Sequence, residues 1–305
     1  MPDAGQHAAR HAIFDRRLLR HRRDRVAEQL KNCDFLIREA ALRLCERLAD
    51  VRRDFPLALD LGCHTGQLAQ AFAAGDQIGT LIEADPSPAM VARAPQPRLV
   101  ADEEALPFGA DRFDLVLSGF SLHWVNDLPG TLIQIRHALK PDGLFLAALP
   151  GGTTLVELRE VLVQAELELE GGAAARVSPL VEVRDAGMLL QRAGFSMPLA
   201  DVETITVTYE HPLRLIQDLR AMGEANVLIE RRPLKRATLG RACELYIERF
   251  GDGSGRIPAT FQLIMLSGWK PDPSQPQPMR RGSGQESLAK ALGVPADVLT
   301  GKAKR

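Results

Sequence analysis

The sequence predicts an α/β fold built on an open sheet whose strand ends carry acids. Three observations predict it. Leu57-Ala58-Leu59-Asp60-Leu61 is an apolar run ending around an acid, followed by the turn Gly62-Cys63-His64-Thr65-Gly66 and the helix-like Gln67-Leu68-Ala69-Gln70-Ala71-Phe72. A buried strand that feeds a tight turn and a helix is a ligand-binding corner, because ligands in open α/β sheets sit outside the strand ends. A second strand-like run, 78–85, also closes in an acid, Asp85, before Pro86-Ser87-Pro88. The pattern then repeats: Leu99-Val100-Ala101 precedes Asp102, Phe113-Asp114-Leu115-Val116-Leu117-Ser118 follows a short loop, and Leu144-Phe145-Leu146-Ala147-Ala148-Leu149 follows Lys140-Pro141-Asp142-Gly143.

The elements can be justified in order. Arg16, Arg17, Arg20, Arg22, Arg23 and Arg25 make the start basic. An Arg-rich, acid-poor start is one mark of a mitochondrial transit peptide, but Asp15 and Asp24 interrupt it and it runs on into the helical spacing of Val26, Leu30, Phe35 and Leu36. An amphipathic helix is favoured, its basic face solvated or touching an acidic partner or a membrane surface. Helix is expected across 26–50. After the first sheet strands, 153–170 and 182–193 read as helices. Val202-Glu203-Thr204-Ile205-Thr206-Val207-Thr208 alternates with period two, as a half-buried strand does. Stretches 212–222 and 233–250 are again helical, and Thr260-Phe261-Gln262-Leu263-Ile264-Met265-Leu266 is the last strand. The span between those two strands is too long for a hairpin, so a helical insertion of about 211–258 is expected to cover the site. From Lys270 onward Pro and Gln dominate, which suggests a flexible tail with a short helix around 285–292. The expected division is an N-terminal helical segment 1–50, a main domain 51–270 and a tail 271–305.

Composition narrows the function. The chain has 305 residues, 45% of them hydrophobic, and a formal net charge of −1. That supports a sizeable core and gives no global field for nucleic acid. Its four cysteines are scattered, as in reduced intracellular proteins. No apolar run approaches the ~20 residues that span a bilayer, and no secretory signal is read.

Taken together, the motifs of 55–150 resemble the class I S-adenosylmethionine (SAM) dependent methyltransferases. The resemblance implies a Rossmann-like, seven-stranded sheet with an antiparallel last strand, and SAM as cofactor. SAM needs acceptors for two ribose hydroxyls, an adenine amine and an ammonium. The resemblance assigns the ribose to Asp85, the adenine to Asp102, and the methionine ammonium to Asp60. Gly62 and Gly66 let the backbone approach closely, and Ser118, at the end of the fourth strand, joins the cofactor set. Asp85 also reads as a helix N-cap before Pro-Ser-Pro. His64 departs from the family, which has glycine there. Its plain reading is a side chain pointing to solvent; the other is a cofactor or substrate contact, strained if φ is positive. No second His or Cys stands at ligand spacing from it, so no metal is expected.

Further strings are similar to the methyltransferase-fold assembly factors of respiratory complex I, a protein-arginine hydroxylase family. They are Ile13-Phe14-Asp15-Arg16-Arg17-Leu18, Ser121-Leu122-His123-Trp124-Val125-Asn126-Asp127-Leu128-Pro129, Gly151-Gly152-Thr153-Thr154, Asp218-Leu219-Arg220-Ala221-Met222-Gly223-Glu224-Ala225-Asn226 and Ile257-Pro258-Ala259-Thr260-Phe261-Gln262. This resemblance implies hydroxylation of an arginine on the complex I iron–sulfur subunit. The alternatives are a malonyl carrier-protein carboxyl methyltransferase and a non-catalytic SAM-binding chaperone. No His-x-Asp/Glu motif signals a facial iron triad. Candidate catalytic residues are His123, as a base, Trp124, which could stack on a guanidinium, and Glu224, which could pair with a substrate arginine. The bland alternative is packing for His123 and Trp124, and a solvated helix face for Glu224, Arg220 and Asn226. Asn126 or Asp127 is expected to cap the helix starting near Pro129. A bacterial cytoplasm is expected, or the mitochondrial matrix in a eukaryote, with peripheral membrane contact and no nucleic-acid partner.

Overall fold

The computed structural model describes residues 12–276. Those up to Asp272 belong to one compact unit; the expected helix at 285–292 and most of the expected tail lie outside the described residues. The chain begins with α1 (Arg16–Val26), a single 3-10 turn (Leu30–Asn32) and α2 (Phe35–Ala49). Then come β1 (Phe55–Leu61), α3 (Gln67–Phe72), β2 (Ile78–Asp85), α4 (Pro88–Val91), β3 (Arg98–Val100) and β4 (Phe113–Gly119). A 3-10 turn (Leu122–Trp124) leads to α5 (Leu128–Ala138), β5 (Leu139–Pro150), α6 (Val156–Glu170), α7 (Val183–Arg192) and β6 (Ser196–Tyr209). Helices α8 (Pro212–Ala221) and α9 (Arg236–Phe250) separate β6 from β7 (Ile257–Trp269).

The seven strands lie in the order β3-β2-β1-β4-β5-β7-β6. The first five run parallel, and β7 is antiparallel to both β5 and β6. The strand order reverses at β1, so the β1 and β4 ends flank the crevice where this topology binds ligands. Both faces are covered, which explains why β4 is buried at every position. Leu115, Leu117, Leu144 and Leu146 pack with α2, α6 and α9 on one face. Val116, Phe145, Leu149 and Leu132 pack with Leu190 of α7 on the other.

Two local expectations are corrected, and a third is decided between its two residues. Helix is not continuous over 26–50: α1 ends at Val26 and α2 starts at Phe35. Asn32 and Asp34 are helix-start residues, and the Asp34 carboxylate accepts from Gln67 Nε2 at 3.0 Å rather than extending α1. Ser87, not Asp85, caps α4, accepting from the Met90 amide at 3.2 Å. Asp127 caps α5 through the Gly130 amide at 2.8 Å, while Asn126 Oδ1 accepts from the Ile13 and Phe14 amides and holds the chain's entry into α1.

Candidate functional site

The strand-end acids have three different surroundings. Asp60 and Glu83 are Cα partners across β1 and β2, so their side chains share one face. Both are fully buried with no other hydrogen-bond partner. Burial and then Glu83 raise Asp60 well above the usual carboxylate range, and burial raises Glu83 to about 7 against the opposing pull of its neighbours Asp60 and Cys63; one proton shared between the two carboxyls lets one donate to the other. Asp85 closes β2, also fully buried. Its Oδ1 accepts from the Ser87 amide at 2.8 Å, and its Oδ2 from the His64 amide and Arg23 Nη1, each at 3.2 Å. Burial lifts Asp85 to about 6 against the pull of Arg23.

The turn between β1 and α3 uses its glycines. Gly62 has φ +81° and a Cβ there would stand 2.1 Å from Ser121 Cβ, so only glycine lets the turn lie against the β4 loop. Gly66, φ +88°, is similarly constrained: a Cβ there would stand 2.4 Å from Pro95 Cδ. His64 has φ +50° and does not point to solvent: it is buried, with Nε2 3.2 Å from the Phe120 carbonyl. A carbonyl only accepts, so Nε2 carries the proton and Nδ1, unpartnered, is bare. Ser118 Oγ donates to the Leu61 carbonyl at 2.7 Å, so it ties β4 to β1.

The basic face of α1 is not simply solvated. Arg16 and Arg23, seven residues apart on one helix face, turn inward over the strand ends. Arg23 is 1% exposed and also donates to Ser121 Oγ at 3.1 Å, with Glu103 3.5 Å away. Arg16 donates to Asp102 at 2.7 Å, to Glu103, and to the Trp124 carbonyl at 3.3 Å. Asp102 is half exposed; Glu103 is fully buried, and against burial Arg16 and Arg23 hold it down to about 2.

Beside this cradle lies a cavity of about 330 Å³, lined by Leu36, Leu158, Leu162 and Phe261, with His123, Trp124 and Glu224 in its wall. Glu224 Oε2 accepts from His123 Nε2 at 2.9 Å and Trp124 Nε1 at 2.8 Å. Burial alone would raise Glu224, yet His123 and Arg23 hold it low. The carboxylate only accepts, so His123 donates through Nε2 and leaves Nδ1 bare.

The structure thus joins His123, Trp124 and Glu224 in one cavity, while Asp60, Asp85 and Asp102 line none in common with it. Reading the sequence missed Glu103, Ser121, Arg16 and Arg23; the seven-residue spacing of the two arginines was the available signal. In chemical kind the cradle suits SAM: carboxylates for ribose and adenine, and glycines where backbone must come close. A carboxylate has about four acceptor positions, and three on Asp85 are taken. Two ribose hydroxyls fit only if one present donor leaves; the two amides belong to the turns, so the displaceable one is Arg23.

Burial, then the Arg23 charge, push His64 down to about 3. An unfolded histidine protonates near pH 6.5, so between that value and about 3 the unfolded chain binds the extra proton and stability drops as the pH is lowered, by up to ~1.4 kcal/mol per unit. Asp85, raised, acts in the opposite sense between its unfolded value and about 6. The difference between wild type and His64→Phe isolates the imidazole. Urea midpoints of the two are expected to diverge steadily as pH falls from about 6.5 to 4.5; parallel curves would mean His64 is charged in the fold.

A methyltransferase domain family matches residues 59–147. An arginine-hydroxylase NDUFAF5, mitochondrial, of Danio rerio is 42% identical over 285 residues, 91% of this chain and 88% of that protein. A malonyl-[acyl-carrier protein] O-methyltransferase of Gallionella capsiferriformans is 30% identical over 277 residues, 86% of this chain and 93% of that protein. The crystal structure of YcgJ from Bacillus subtilis superposes with a TM-score of 0.53 at 16% identity, covering 76% of this chain and 98% of that one.

Proposed function

Since this chain belongs to the arginine-hydroxylase NDUFAF5 family of methyltransferase-fold enzymes, we propose that it binds SAM and hydroxylates an arginine of a protein substrate, the iron–sulfur subunit of respiratory complex I during assembly. The observation that carries the substrate half is Glu224. Among the described residues it is the one carboxylate lining a mostly apolar and basic cavity, and a guanidinium entering there needs such a partner. The arginine's methylene stem can lie along Leu158 and Leu162. Glu224 fixes His123 with Nδ1 unpartnered, so the cavity wall carries a nitrogen that can accept a proton.

SAM would be held by Asp85, the Gly62–Gly66 turn and Asp102, and when bound it supplies a sulfonium with an activated methyl. Asp60, sealed against Glu83, is left out of the ammonium role. Placing oxygen on an arginine carbon also consumes dioxygen and a two-electron reductant, which are separate reactants. No helix among the described residues is long and apolar enough to cross a membrane.

Mass spectrometry of the iron–sulfur subunit tests the reading. The arginine is expected to be one oxygen heavier in the parent strain and unmodified in a deletion strain; the same mass in both would refute it. A product one methylene heavier would instead assign methyl transfer. For the cofactor, Asp85→Ala is expected to weaken SAM binding roughly ten- to a hundredfold in calorimetry.

A further inference from the structure

The cavity is ringed by cations. Arg22, Arg176, Arg220, Arg231 and Arg232 all line it, and Arg220, Arg231 and Arg232 are exposed on its solvent side. Their compensation is thin. Arg176 is paired with buried Glu166. Arg231 has Asp15 at 3.5 Å, with Glu230 next to it in sequence and exposed. Arg22 donates only to the Asn226 carbonyl, at 2.7 Å. Arg220 and Arg232 have no ion pair or side-chain hydrogen bond among the described residues. The cations feel one another: Arg22 is lowered by burial and then by Arg231, Arg25 and Arg220.

This collar is a difficulty for a lone arginine. A guanidinium bound for Glu224 must pass four or five like charges, and like-charge juxtaposition opposes association. The difficulty disappears if the substrate brings its own anions. We infer that the collar is a docking surface for acidic residues flanking the target arginine, so that carboxylates of the substrate segment seat on Arg220, Arg232 and Arg22 while the guanidinium passes between them to Glu224. Arginine suits that task, since its planar fork accepts a carboxylate bidentately. The lid helps hold the collar in place: Asn226 donates to the Ala175 and Arg176 carbonyls, fixing the α8 end to the loop that carries Arg176. This inference rests on the arginine-modifying reading and adds the class of sequence that presents the arginine.

Three synthetic peptides, identical except for the residues flanking one arginine, test it on the full chain by fluorescence anisotropy. The flanks are Asp and Glu, Gln, or Lys. The acidic peptide is expected to bind at least tenfold tighter than the Gln peptide at low salt. That advantage should shrink with added salt, because the collar is partly exposed. In Arg220→Glu/Arg232→Glu, both surface changes, the preference should vanish or pass to the Lys peptide. Equal binding of the three peptides, or an acidic preference that survives the double change, would overturn the inference. Tight binding to anionic phosphatidylglycerol vesicles with no peptide preference would overturn it in favour of a membrane surface. Mass analysis separates this from the reaction itself. Hydroxylation of the Gln peptide as readily as of the acidic one sinks the docking surface and leaves the activity. An acidic peptide that binds through the collar and stays unmodified supports the surface and sinks the activity.

Discussion

Replacing Arg23 by methionine is expected to tighten binding of S-adenosylhomocysteine tenfold or more while making the protein less stable. Both signs follow from one contact. Arg23 is fully buried against Asp85, Glu103 and Ser121; Glu103 keeps Arg16, but removal of Arg23 leaves the buried Asp85 carboxylate without a cation, a loss of about 3–5 kcal/mol. The same removal frees the Asp85 position that a ribose hydroxyl needs. The nucleoside should therefore raise the melting temperature more in the variant than in the wild type. If Asp85 takes the ribose as proposed, binding in the wild type is expected to draw Arg23 out of the cradle. Helix α1 carries six arginines and is an ideal trypsin substrate once loosened. The nucleoside is expected to speed cleavage within α1, read by mass spectrometry. The release should reach the cavity lid, because the Asp15 amide donates to the Val227 carbonyl at 2.8 Å, Phe14 packs edge-on to Trp124 at 5.3 Å and Arg22 holds Asn226. Weaker nucleoside binding in Arg23→Met, with α1 protected in the wild type, would make Arg23 part of the cofactor site instead of its competitor. Arg23→Lys, which keeps the charge and shortens the reach, should fall between the two.

Much of the sheet was legible because its signals are local. Apolar runs ending in acids and punctuated by glycine mark β1 and β2, and the period-two alternation of 202–208 marks the middle of β6, whose full extent comes from pairing with β7. The lid helices were legible from their spacing. Long-range partnership was not. Arg16 and Arg23 look like any basic helix face, and only the folded chain sets them beside Asp85, Asp102 and Glu103. Glu103 follows Asp102 directly and carries no local signal that separates it from a solvated acid. His64 was read as exposed because polar turn residues usually are; its burial comes from the Phe120 carbonyl, fifty-six residues away in sequence. Asp60 has the position of a cofactor acid, but Glu83, its cross-strand neighbour, turns it into half of a sealed pair. Charge pattern shows which residues can pair, while tertiary structure decides which do.

Glu224→Gln is expected to lower turnover by about 10²–10⁴-fold with little loss of fold. One oxygen of Glu224 receives both donors, so glutamine keeps the shape but has two orientations: with its oxygen there it accepts from both and keeps the His123 tautomer, and flipped its N–H₂ donates to Nε2, moves the imidazole proton to Nδ1 and leaves Trp124 Nε1 without an acceptor. In either orientation the charge that steadies a protonated His123 is gone. A guanidinium guest would also lose the one acidic partner that the described residues place in the cavity wall. The two roles separate in kinetics. If Glu224 chiefly receives the substrate arginine, KM for the peptide rises and kcat changes little. If it chiefly holds His123, kcat falls and the limb of the pH–rate profile that reports the base moves or disappears, while peptide affinity in anisotropy stays near wild type. His123→Gln should then lose a similar factor, and the double variant little more, since residues acting as one unit are not additive. A Glu224→Gln enzyme with unchanged kcat, KM and pH profile would remove both roles and leave the His123-Trp124-Glu224 cluster as packing beneath the lid.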